Sequence, residues 1–181
     1  MSFENKGWAD LETLQNVNEC LKLLKKGVEN LTDNKFEDAL SALSDASTLI
    51  YINLNRIFAR NVDSRHLWGI AVQFDLLAIS LTLSFLVRTR QDEEEAEENL
   101  GGATALIALI TGFLNPMIKN VIEQEVKTTG FRLNEKDKSL LEGITELNEI
   151  VREFKRQFEE VKKISTITSA KPKKARKRKG T

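Results

Sequence analysis

Between Leu67 and Val87 the chain carries a single ionisable side chain, Asp75, in a stretch otherwise built from Leu, Ile, Val, Phe, Ala, Trp and small or uncharged polar residues. No proline interrupts it. The stretch therefore reads as a helix with apolar side chains on nearly every face, and such a helix must be enclosed by protein or by lipid. From Gly69 to Val87 it counts 19 residues, about the length that crosses a bilayer core. Its 11 Leu, Ile, Phe and Val residues favour insertion by about 5 kcal/mol. Asp75 near the centre costs about 3 kcal/mol, and Gln73, Ser80, Thr82 and Ser84 offset more of the gain. The balance lies near zero, so the run sits at the border between a spanning helix and a core helix.

A second apolar run, Ala103 to Leu114, ends at Asn115-Pro116. It has six large aliphatic or Phe residues and is weaker. Between the two runs lies an acidic segment from Asp92 to Glu98, closed by Gly101-Gly102. Pro116 either kinks the second helix or opens a new one with Asn115 as its cap. The two runs form a helical hairpin in which Gln73 and Asp75 lie at a depth similar to Thr111 and Asn115, so these polar groups can pair. Arg56, Arg60, Arg65, Lys119 and Lys127 flank the outer ends, which by the positive-inside rule puts both termini on the cytosolic side of a membrane.

The flanking segments are amphipathic. Leu14, Val17, Leu21, Leu24, Val28 and Leu31 alternate three- and four-residue spacings, predicting a helix from Trp8 to Leu31. Asn34 with Glu37 reads as a capping box for a second helix reaching Arg60, and Ser64 reads as the N-cap of the apolar run. Gly130 stops the segment after Pro116. From about Asn134 the pattern is the cleanest in the chain: Leu140, Ile144, Leu147, Val151, Phe154, Phe158 and Val161, a heptad interface for a bundle or a coiled coil. Two prolines and nine glycines in 181 residues leave too little punctuation for an all-β fold. The expected fold is all-α, a bundle of four to six helices around a central hydrophobic hairpin. Residues 1–131 form the body, 132–164 the heptad helix and 165–181 a disordered basic tail.

Zero net charge conceals an asymmetry. Seven of the 27 basic residues (Lys171, Lys173, Lys174, Arg176, Lys177, Arg178 and Lys179) lie in the last eleven positions, leaving 20 against 27 acidic residues in the body. Polyanion contact therefore belongs to the tail, as a nucleic-acid arm or a contact to anionic headgroups. Lys-Pro-Lys-Lys-Ala-Arg-Lys-Arg-Lys resembles a nuclear localisation signal. Lys177 and Lys179 before Gly180-Thr181 look like the Lys-x-Lys-x-x signal that retrieves membrane proteins to the endoplasmic reticulum.

Catalytic signatures are lacking. His66 is the one histidine and Cys20 the one cysteine, which disfavours zinc sites and His-assisted nucleophiles; Gly101-Gly102 has no phosphate-loop sequel. The expectation is a non-enzyme with no cofactor, metal or small-molecule substrate. Its first form is a protein of an intracellular membrane, such as the endoplasmic reticulum, anchored by residues 68–88 and 101–118, with cytosolic helices for self-association or partner binding. The alternative is a soluble, self-assembling, capsid-like protein of cytoplasm or nucleus whose tail binds nucleic acid. A bundle that hides the hairpin and releases it into lipid joins the two.

Overall fold

The computed structural model describes residues 11–59, 64–92, 94–130 and 132–169; the basic tail lies outside them. The elements are α1 (Leu11–Thr32), α2 (Phe36–Phe58), α3 (Ser64–Gln91), α4 (Ala96–Leu109), a π-helical turn (Ile110–Leu114), α5 (Asn115–Thr129) and α6 (Glu135–Ser169). Helical backbone continues from α4 through the π turn into α5, giving five helical rods and no strand among the described residues. The all-α bundle expected from the sequence is what the chain forms.

The joints differ in detail from the sequence reading. Asn34 does not cap α2. It adopts the left-handed conformation (φ 59°) that closes α1, where Lys35 N–H donates to Asn30 O and Asn34 N–H to Leu31 O, a Schellman arrangement. Its side-chain oxygen accepts instead from Arg90 Nη1 at 3.1 Å, and α2 ends at Phe58. Ser64 is the first helical residue of α3, not a cap before it. The acidic segment is not a loop running to Gly101-Gly102. Asp92 Oδ1 accepts from the backbone N–H groups of Glu94 and Glu95, and α4 starts at Ala96 with Glu97 and Glu98 in its first turn, where carboxylates suit the helix dipole. Both glycines lie inside α4. A Cβ on Gly102 would stand 2.9 Å from Phe85 Cζ, so the absence of a side chain lets the Phe85 ring lie against the α4 backbone.

Pro116 falls in the first turn of α5, one of its two expected placements, but Asn115 is the first helical residue of α5 and not its cap, and helical backbone runs on without a gap from the π turn. A proline cannot donate to the carbonyl four residues back and crowds it. The wider π turn immediately before it takes up that mismatch while every residue stays helical. Gly130 ends α5 at φ 69°, as its sequence position implied. At the start of α6, Asp137 N–H donates to Asn134 Oδ1 (2.9 Å) and Asn134 N–H to Asp137 Oδ2 (3.3 Å), a reciprocal cap. The helix runs to Ser169, beyond the boundary at 164/165 where the disordered tail was expected to begin.

α3 is the axis of the bundle. α2 packs on α1, α1 on α6 and α6 on α4, and all of them also pack on α3. Among the described residues α2 makes no contact with α4 or α5, so the ring around α3 stays open on one side. α6 lies in this ring through Leu140, Ile144, Leu147, Val151 and Phe158, all buried, with Phe154 half-buried; it is a bundle helix, not a free coiled coil. Val161, the last of the predicted stripe, has its side chain outside the described set. Lys25 Nζ to Glu146 Oε2 (2.8 Å) and Arg90 over the Phe158 ring (5.0 Å) clasp its flanks. Because Leu147 is wholly enclosed, Leu147→Ala is expected to lower the unfolding free energy by about 2–5 kcal/mol in denaturant titrations; a loss under about 0.5 kcal/mol would mean that α6 is undocked.

Candidate membrane-facing site

The open side of α3 has a regular composition. Leu67, Phe74 and Leu81 recur every seven residues, two helical turns apart, and are the exposed large apolar residues of α3. Ile70, Leu77 and Ser84, half-buried, lie between them at the complementary three- and four-residue steps. Arg88 closes the strip. The neighbouring rods continue it. Gly102 packed on Phe85 sets the register of the antiparallel hairpin, and Phe113 and Phe74 each lie eleven residues away from that pair, so they share one height. Phe113 is 57 % exposed and Leu109 44 %. On α2, Asn53 bonds to Gln73, which puts Ile52 at the height of Phe74; Tyr51, Ile52 and Phe58 are exposed there.

Charge is absent from the same heights. Residues 46–55 of α2 and 99–118 of α4, the π turn and α5 contain no Asp, Glu, Lys, Arg or His, and residues 67–87 contain only Asp75, which is fully buried. The 20 uncharged residues 99–118 cover about 30 Å at 1.5 Å per residue. Both the α3 rod and the α4–α5 rod are long and apolar enough to cross a membrane, but they differ in enclosure. The most apolar window of α3 is 67 % buried, that of the α4–α5 rod 17 %. By contrast, α1 and α6 expose Glu19, Lys22, Lys25, Glu146, Glu153 and Arg156, much of it in ion pairs.

Gln73, Asp75 and Ser80 of α3 point away from the open strip, into the bundle. Asn16 Nδ2 donates to Asn53 Oδ1 (3.0 Å), and Asn53 Nδ2 to Gln73 Oε1 (3.3 Å), tying α1, α2 and α3. One turn pair further, Ser80 hydroxyl donates to Leu43 O and exchanges a hydrogen bond with Ser47, each at 3.0 Å. On the other flank Asn148 of α6 reaches two residues with one amide nitrogen: Nδ2 donates to Asp75 Oδ2 and to Asn115 Oδ1, both at 3.5 Å. Asp75 Oδ1, Asn148 Oδ1 and Gln73 Nε2 are buried without a partner.

Of the four hairpin polar residues predicted to pair at one depth, Asp75 and Asn115 are brought together, but through Asn148, which the sequence reading missed. Gln73 turns to α2 instead. Thr111 does not pair across the hairpin; its hydroxyl donates to Ile107 O within its own rod. Asn148 sits directly after Leu147 of the heptad stripe, and an uncharged amide at the margin of an apolar seam was the available signal. The tail lysines and arginines lie outside the described residues. Cys20 is fully buried on α1, and burial pushes its thiol up to about 12, which makes it an inert core residue. Among the described residues no group of His, Cys, Asp and Glu side chains has the arrangement of a metal site. Compared with known proteins, the chain matches no family model, no curated protein and no solved structure.

Burial raises the Asp75 carboxyl from its ordinary 3.8 to about 6, with the Asn148 hydrogen bond opposing the shift. The folded chain therefore binds more protons than the unfolded chain between those pH values. The Asp75 contribution to stability is fully present below about pH 4 and is lost as pH rises through about 6. Asp75→Asn, which removes the charge and keeps the shape, is expected to raise the unfolding free energy at pH 7 relative to pH 4 by on the order of 2 kcal/mol, measured by denaturant titration at both pH values.

Proposed function

We propose that this is a non-catalytic, membrane-associated helical protein whose apolar hairpin serves as a lipid-facing anchor and whose charged helices, α1 and α6, face water for partner binding. The observation that carries this reading is the charge-free outer surface of α3 and the α4–α5 rod, about 30 Å long and continued on α2 for about 15 Å over residues 46–55, with its one carboxyl turned inward. A large exposed apolar surface on a bundle marks an interaction site. The ion-paired exteriors of α1 and α6 cannot enter hydrocarbon at modest cost. Since α1, α2 and α6 are wrapped on α3 and tied to it by the asparagine and serine ladder, the hairpin anchors by lying with its open face in the interface, without crossing the bilayer. The seven basic tail residues add attraction to anionic headgroups, at about 1 kcal/mol each near the surface.

Self-association through the same face is the second reading, and the spacing of the α3 strip favours it. Residues 67, 70, 74, 77, 81 and 84 follow the alternation by which helices interlock. In that reading the protein is a soluble assembly and the tail is its nucleic-acid contact.

Vesicle flotation separates the two. Full-length protein is expected to float with liposomes, and Phe74→Asp/Phe113→Asp to lower the membrane partition coefficient more than about 100-fold, since each buried Phe side chain contributes about 1.5–3 kcal/mol. Lys22→Ala on α1 is expected to leave binding unchanged. Absence of flotation, together with a dimer in lipid-free sedimentation that the double variant dissolves, would replace the membrane reading by the second.

A further inference from the structure

The Asp75–Asn148–Asn115 junction is the one place among the described residues where α3, α5 and α6 are joined by side-chain hydrogen bonds, and its geometry is incomplete. One amide nitrogen serves two acceptors at 3.5 Å each, the outer limit of a hydrogen bond, while Asp75 Oδ1 and Asn148 Oδ1 have no donor. An ionised carboxylate offers only acceptors, so the charged junction holds more acceptors than donors in a closed space. A neutral Asp75 corrects the count. Its O–H supplies a donor where Asn148 Oδ1 lacks one, which leaves Asn148 Nδ2 to Asn115 Oδ1.

Nothing nearby compensates the charged form. From α6 the facing group is Asn148, and Glu146, Glu149 and Arg152 beside it are exposed. From α5 it is Asn115, with Lys119 one turn on, exposed and directed to Glu123. The polar groups of α2 and α1 are Asn53 and Asn16, and the Arg56–Glu12 ion pair lies at the rim. α4 and the π turn contribute no charge beyond Glu97 and Glu98 at the far end.

We propose that Asp75 is a proton-operated latch that couples protonation to the docking of α6 on the hairpin. In the neutral form the junction closes and α6 stays seated. In the ionised form the carboxylate gains hydration only when α6 lifts. Deprotonation therefore raises the population of an open state in which the inner face of α3 and the apolar stripe of α6 (Leu140, Ile144, Leu147 and Val151) become accessible. The latch biases this opening without driving it to completion, because the stripe of buried aliphatic side chains still favours docking. The proposal does not depend on the membrane reading, and its test uses no lipid.

Hydrogen exchange of the full-length protein, corrected for intrinsic rates, is the direct measurement. Between pH 4.5 and 7.5 the protection of α6 amides around residues 140–158 is expected to fall up to about 100-fold relative to those of the α1–α2 pair, and to stay level in Asp75→Asn. The same decline in Asp75→Asn, or a level profile in the natural sequence, would overturn the latch. Carboxyl-resolved NMR titration of the unaltered protein gives a second test that needs no variant. A midpoint near 6 for Asp75 supports the latch, and one at the ordinary 3.8 removes its basis.

Discussion

The enclosure of α3 governs the rest of this protein. A helix whose sides carry Trp68, Val72, Leu76, Ile79, Leu83, Leu86 and Val87 has no face that water accepts, and four other rods gather around it. The ring they form goes from α2 through α1 and α6 to α4 and then stops. There the remaining face of α3 and the facing stretches of its two neighbours, residues 46–55 and 99–118, carry no exposed charge, and no further amphipathic helix among the described residues covers them. The bundle thus has two chemically distinct sides: ion-paired α1 and α6 behind, and an apolar, charge-free front.

Polar side chains make that arrangement specific. Apolar packing alone would let α3 rotate or slide with little penalty, since its faces are alike. Gln73 with Asn53, Ser80 with Ser47, and Asp75 with Asn148 fix both the rotation of α3 and the height of each partner, because moving any of them would bury an unpaired polar group. The same residues that weaken α3 as a bilayer-spanning segment are those that hold it inside the bundle. The side of the hairpin that remains open is therefore determined by where the polar groups turn in.

Much of this was legible in the chain itself. The need to enclose the Leu67–Val87 run follows from composition, the α6 stripe from its alternating three- and four-residue steps, and the end of α5 from Gly130. What local pattern could not supply was tertiary. Asn34 with Glu37 reads as a cap of α2, and only the left-handed backbone and the bonds back to Asn30 and Leu31 show that it closes α1 instead. Gly101-Gly102 looks like a break until Phe85 is seen to need the bare backbone. Pro116 reads as a kink or as the opening of a new helix, and only the π turn before it shows how helical backbone continues into α5. Asn148 shows in the sequence only as an uncharged amide beside Leu147 of the stripe, and its partners appear only when α6 is set against α3 and α5. The open strip had a visible signal in the seven-residue recurrence of Leu67, Phe74 and Leu81, hidden within a run where nearly every position is apolar.

The most direct test of a lipid-facing front is the accessibility of spin labels placed one at a time on the full-length protein. Cys20, buried and with its thiol pushed up to about 12, does not compete for the label. Labels at Phe74→Cys and Phe113→Cys are expected to gain oxygen accessibility and lose accessibility to a water-soluble nickel chelate when vesicles are added, while labels at Lys22→Cys and Arg156→Cys stay accessible to the chelate. If all four positions remain equally open to the chelate with vesicles present, the front does not face lipid and the anchor is contradicted at its centre.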